Sequence, residues 1–167
     1  MRGVTKTITV VLLTAVLLSA GTHAQQTTSC PTTASLRPAP FVPPVPHRAT
    51  LPRGSFWYGS ESLWTSLSDD GRWHGLYRSD LRAYRNKIML FRKGFDSSKE
   101  HRPPLVVTAR RLDGVSPQVA SERASGAFNN DTGPMIMTAI DLPDSGCWLL
   151  TARYADDQPL TFVVNAP

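Results

Sequence analysis

An all-β sandwich is the fold class that this 167-residue chain predicts, and three observations predict it. Short runs of β-branched, aromatic and aliphatic residues recur along the second two-thirds of the chain. Clusters of Gly, Pro, Asp and Ser separate them. No segment sustains a helical apolar period long enough for a convincing helix. About seven or eight short strands follow from this pattern, the signature of two packed sheets rather than of layered helices.

The N-terminus places Arg2 and Lys6 ahead of an apolar stretch from Ile8 to Leu18, followed by small and polar residues ending at Thr22-His23-Ala24. This is the layout of a secretory signal peptide over residues 1–24, and its apolar run falls short of the ~20 residues a spanning helix needs. A signal anchor is the competing reading. The expectation is an extracytoplasmic protein, periplasmic or secreted, with no transmembrane anchor. A lipoprotein cut at Cys30 is disfavoured by Thr27, which stands where such signals carry Leu or a similar residue.

Residues 25–53 form a proline-rich arm or linker, with seven of the fourteen prolines lying between Pro31 and Pro52. Proline removes backbone donors and favours extended polyproline conformation, so a semi-rigid spacer is expected. The folded domain then occupies 54–167. Phe56-Trp57-Tyr58-Gly59 and Leu63 to Leu67 open it, and Ser68-Asp69-Asp70-Gly71 turns the chain so that Arg72 to Leu76 can pair back as a hairpin. Leu76 to Asn86 reads as a short helix, from the spacing of Tyr77, Leu81 and Tyr84, or as a loop. Lys87 to Arg92 and Leu105 to Leu112 are strands, Ser116 to Asn130 a long polar loop, and Met135 to Leu142 a strand carrying Ile136, Ile140 and Leu142 on one side. The chain closes with a hairpin of two runs, Gly146 to Tyr154 and Leu160 to Val164. Alternation puts Trp148, Leu150, Ala152 and Tyr154 on one face of the first run, and Leu160, Phe162 and Val164 on one face of the second.

The turn ending in Gly146, the Cys147-Trp148 start of that hairpin and its closing strand resemble the last two strands of bacterial immunoglobulin-like domains. Phe56-Trp57-Tyr58-Gly59, Leu63-Trp64, Arg110-Arg111-Leu112-Asp113 and Gly146-Cys147-Trp148 together resemble a group of uncharacterised exported bacterial proteins. The resemblance spans Gly54 to Val164 and implies an immunoglobulin-like β-sandwich and export; it implies no activity. One departure is Cys30, which lies in the arm and not on an early strand, so a bridge through the middle of the core is not expected.

Cys30 and Cys147 are the only cysteines, and an oxidising compartment favours their pairing into one disulfide. Two cysteines make no zinc site, no two histidines stand at ligand spacing, and no Asp-rich loop has the calcium pattern, so no metal or other cofactor is expected. No Gly-x-Ser-x-Gly occurs. Asp131-Thr132-Gly133 and Asp144-Ser145-Gly146 mimic the paired turns of aspartic proteases, but both read as ordinary turn chemistry. No catalytic residue is assigned.

Without Arg2 and Lys6 the chain has 16 basic and 13 acidic residues, a net charge of +3, which is a weak basis for nucleic-acid binding. The charge is unevenly spread. Eleven cations against three acids lie between Arg72 and Arg111, while seven acids against two cations lie between Asp113 and Asp157. Either the two halves neutralise each other, or Arg78, Arg82, Arg85, Lys93 and Lys99 form a basic surface, with Trp57 and Trp73 as aromatic additions. Trp64 and Trp148 read as core. The resulting expectation is a non-catalytic exported module that binds a protein or an anionic envelope component, not nucleic acid. The alternatives are a protease inhibitor presenting the 116–130 loop, and an enzyme of unidentified class.

Overall fold

The computed structural model describes residues 29–36, 41–44 and 51–167. The expected signal peptide, 1–24, lies outside the described residues, as do 25–28, 37–40 and 45–50 of the arm. Among the described residues there are ten strands and no helix. They are β1 (Ser55–Gly59), β2 (Trp64–Ser68), β3 (Leu76–Arg78), β4 (Ala83–Phe91), β5 (Leu105–Arg111), β6 (Val119–Ala120), β7 (Ser125–Asn129), β8 (Gly133–Leu142), β9 (Gly146–Tyr154) and β10 (Leu160–Ala166).

Two antiparallel sheets form, one in the order β1-β2-β4-β8-β7 with β3 also on β4, the other in the order β10-β9-β5-β6. One core lies between them. The first sheet contributes Ile88, Leu90, Ile136, Ile140 and Leu142, and the second Leu105, Val107, Trp148, Leu150, Phe162 and Val164. The alternation read in the closing hairpin holds throughout: Trp148, Leu150, Ala152 and Tyr154 are buried on β9, opposite Leu160, Phe162 and Val164 on β10. Trp148 is fully buried, and its indole N–H donates to the Asp144 carbonyl at 3.1 Å, so the polar end of the side chain is satisfied inside the core.

Four segments differ from the sequence reading, each for a tertiary reason. Arg72 to Leu76 does not pair back on β2: β1 takes one edge of that strand, β4 takes the Trp64–Thr65 end of the other, and the chain after the turn leaves for the opposite sheet. Residues 71–73 instead cross to β10, where Trp73 N–H donates to Asn165 C=O and Asn165 N–H to Gly71 C=O. Leu76 to Asn86 is neither helix nor loop but the β3–β4 hairpin; Tyr77 and Tyr84 are cross-strand partners with ring centroids 5.3 Å apart, a contact that mimics helical spacing. The 116–130 segment contains β6 and β7, and it carries the chain from one sheet to the other. Ser121 N–H bonds Val107 C=O, and Glu122 N–H bonds Ala139 C=O. The turn expected at Asp131-Thr132-Gly133 closes a β7–β8 hairpin, and it is set by Asn129, whose side-chain oxygen accepts from Asp131 and Thr132 N–H, and by Gly133 at φ +77°. Finally, the described parts of the arm lie against the domain instead of extending from it.

The arm is held at two places. Cys30 and Cys147 are joined by a disulfide with Cα atoms 5.4 Å apart. Cys147 points away from the core face that Trp148 occupies, so the bridge fastens the arm to the outside of the second sheet and does not cross the sandwich. Beside it Thr33 N–H bonds Val163 C=O and Thr33 Oγ1 accepts from Val163 N–H, covering part of the β10 edge. Farther along, Pro43 is buried and Phe41 packs on Trp64 at 5.6 Å, over a second apolar cluster of Trp64, Phe91 and Met135 on the outer face of the first sheet.

Trp148→Ala is expected to destabilise the fold by about 3–5 kcal/mol through the cavity it leaves, whereas exposed His74→Ala stays within about 0.5 kcal/mol; urea unfolding of the two variants checks this, and equal effects would contradict the packing. Non-reducing peptide mapping of the purified protein should recover Cys30 and Cys147 in one linked peptide. With 117 residues separating the cysteines, the loop-entropy argument gives about 4–5 kcal/mol of stabilisation, lost on reduction.

Candidate functional site

The edge of β4 facing β2 and β3 is shared by two short strands. β3 pairs with Ala83 to Arg85 and β2 with Leu90 and Phe91, so no strand covers residues 86–89 there. The Met89 carbonyl is bonded by the Thr65 hydroxyl at 2.8 Å, which marks Met89 as facing this gap. Two residues back, the Lys87 N–H and C=O face it as well, because β-strand groups alternate sides. The connection from β2 to β3 runs across the opening and drops Trp73 into the core, where the side chain is buried and donates from Nε1 to the Tyr84 carbonyl at 3.3 Å. Trp73 is therefore a core residue, present in the wall of the gap and absent from the exposed candidate binding surface. Trp57 leaves it in part: half-buried, it packs edge-on to Phe91 at 5.4 Å.

A cavity of about 210 Å³ remains in the gap, bounded by Ser66, Ser68, Arg72, Trp73, His74, Asn86, Lys87 and the Thr33 wall of the arm. A shallower hollow adjoins it, lined by His74, Leu76, Arg78, Arg85, Asn86 and Lys87. Here the basic segment, an aromatic residue and a concavity come together. Sequence reading missed it because the cavity depends on Thr33, Arg72 and Lys87, which belong to three separate segments.

At the mouth stand the residue types of a hydrolytic triad. His74 Nε2 lies 3.2 Å from Ser68 Oγ and 3.3 Å from Asp70 Oδ1. Activating a serine requires the carboxylate to hold the other ring nitrogen, leaving Nε2 for the hydroxyl. Here a single nitrogen serves both partners, which is the geometry of a turn brace. The Arg72 N–H, at 2.9 Å, is the main cause holding the Asp70 carboxyl below its ordinary range.

The five cations expected to form a patch are dispersed and mostly paired. Arg78 bonds Asp80 at 2.8 Å, Lys93 bonds Glu61 at 2.7 Å, and Lys99 lies 3.1 Å from Asp96. Arg85 reaches across to Asp141 at 3.0 Å and to Glu122. Arg82 is exposed in the β3–β4 turn at φ 49°. Charge neutralisation between the two halves of the chain thus accounts for Arg85 directly, and Arg92 repeats it: its Nε bonds Asp157 at 3.1 Å while its guanidinium covers the Tyr154 ring. Burial, and the hydrogen bond that the Tyr154 hydroxyl donates to Glu100, push that phenol up to about 12. Among the described residues, Arg72 and Lys87 on the gap form no ion pair.

The protease-like aspartates lie at opposite ends of β8, one in the turn before it and one in the turn after it. A strand of ten residues separates them by roughly 30 Å, so they share no proton. Asp144 instead accepts from Ser116 Oγ at 3.0 Å. Asp113 has a comparable structural role, taking Arg111 Nε and the Cys147 N–H on its two oxygens, each at 2.9 Å, and it crowds Gly146 so closely that an added Cβ would sit 2.8 Å from the carboxylate.

Arg85→Gln, which leaves Asp141 and Glu122 without their shared counter-ion, should lower the denaturation midpoint more than Lys93→Gln, which removes one exposed pair. Paired denaturation curves test the difference.

No protein-family model matches the chain, and no curated protein and no solved structure matches it either.

Proposed function

We propose that the chain is an exported, non-catalytic immunoglobulin-like module that binds an anionic envelope component, with the cationic rim of the β4 gap as its contact. Strand order supports the fold assignment. Taking β2, β4, β8 and β7 as A, B, E and D, and β10, β9, β5 and β6 as G, F, C and C′, reproduces an ABED sheet facing a GFCC′ sheet. Export is supported by the N-terminal signal pattern and by the disulfide, which suits an oxidising compartment.

The observation that carries the binding reading is the contrast among cations. Arg78, Arg85, Lys93 and Lys99 are neutralised by carboxylates of the same chain, whereas Arg72 and Lys87 border a cavity that no carboxylate lines. An acidic face of a protein is the second partner class that this rim fits. The inhibitor alternative loses its premise, since residues 116–130 cross between the sheets and do not protrude as one loop.

Binding to an anionic polysaccharide or to acidic-lipid vesicles should be measurable at low salt and weaken steeply as the Debye length shortens from ~30 Å at 0.01 M to ~10 Å at 0.1 M. The double variant Arg72→Gln/Lys87→Gln should weaken it on the order of tenfold with an unchanged melting temperature, and Lys93→Gln should leave it alone. Absence of binding at low salt, or equal loss in Lys93→Gln, would sink the reading.

A further inference from the structure

We infer that the β4 gap is a binding site for a small anion with an apolar body, of the size of an aryl or branched-chain carboxylate. The inference deepens the rim reading above and rests on it for the charge, while its apolar half stands on the cavity itself.

The cavity is amphipathic. Its inner boundary is core: Trp73, Ile88, Phe162 and Val164 line it and belong to the cluster between the sheets. Its lining also carries positive charge, from Arg72 and Lys87, and polar groups, from the hydroxyls of Ser55 and Ser66 and the amide of Asn86. No carboxylate lines it. The nearest, Asp70 at the mouth, is already engaged by the Arg72 N–H and by His74. The Lys87 backbone N–H faces the same gap with no strand opposite it, a fixed donor of the kind that a carboxylate oxygen accepts. An anionic head is therefore favoured at the rim and an apolar body inside.

Size narrows the class. An apolar cavity of about 150 Å³ takes up one benzene ring, so 210 Å³ admits one ring or a branched four- to five-carbon chain together with a head group. The wall nearest β10 comes from the arm: Thr33 lines the cavity and is tied to Val163 on both its N–H and its hydroxyl, three residues after disulfide-bonded Cys30. The site is thus built from two sheets, one crossing loop and the arm.

The test uses the purified mature protein with its disulfide intact, titrated with sodium benzoate, 4-methylpentanoate, benzyl alcohol and sodium sulfate, and followed by tryptophan emission, to which Trp73 in the wall contributes, and by calorimetry. Benzoate or 4-methylpentanoate should bind with a Kd of about 1 mM or tighter. Benzyl alcohol, lacking the charge, and sulfate, lacking the apolar body, should each bind at least tenfold more weakly. Lys87→Gln/Arg72→Gln should weaken benzoate about tenfold. Ser66→Phe, which fills the cavity from a half-buried strand position, should abolish benzoate binding while retaining the parent melting temperature. If Ser66→Phe does not fold, Asn86→Leu serves instead, with a several-fold loss expected. No benzoate binding below about 10 mM, or equal binding of benzyl alcohol or sulfate, overturns the inference. So does benzoate binding that survives both cavity variants. Polymer binding that persists in Ser66→Phe while benzoate binding is lost separates the cavity from the rim; loss of polymer binding with benzoate binding retained overturns the rim reading alone.

Discussion

One edge of β4 has to satisfy two short strands, and much of the molecule follows from how that is resolved. β2 and β3 both pair there, at opposite ends, and between them the β2–β3 connection crosses to β10 at residues 71–73 before it returns to the first sheet. The uncovered middle would expose the core. Trp73 closes it, burying its rings between the sheets and satisfying its indole N–H on Tyr84. Gly75 is part of the same solution: a Cβ there would come within 2.9 Å of the Arg85 carbonyl and 2.7 Å of the Trp73 indole nitrogen. What Trp73 does not fill is the cavity, so the candidate site is a by-product of strand economy at this edge.

The opposite sheet manages its edge differently. β10 would present a full row of unpaired backbone groups, a template for association with other chains. Thr33 from the arm covers it at Val163, and the 71–73 segment covers it at Asn165. Both covers also wall the cavity. Edge protection and site construction are therefore the same contacts, and the Cys30–Cys147 bridge, by holding the arm in place, supports both.

Electrostatics follows the fold rather than the segment composition. The basic middle segment faces the acidic later one because β4 pairs with β8, placing Arg85 opposite Asp141. Local pairs such as Arg78 with Asp80 consume further charge within one turn. Segment charge could reveal the excess, but not that Arg72 and Lys87 border a cavity lined by no carboxylate.

The closing hairpin, the Ile136-Ile140-Leu142 face, the burial of Trp64 and Trp148 and the pairing of the two cysteines were legible in the sequence, because each depends on local alternation or on there being one partner to choose. Turn chemistry was legible where Gly and Asp cluster, as at Ser68 to Gly71 and Asp131 to Gly133, but the strand Ser125–Asn129 that makes the second turn a hairpin was hidden in a polar run. Burial of Trp73, pairing of Tyr77 with Tyr84, docking of the arm and the cavity were decided only by the tertiary structure. All four depend on which strand takes which edge, and an edge is a property of chains brought together from distant positions. Alternation states which face of a strand is apolar; it carries no information about what lies beside that strand.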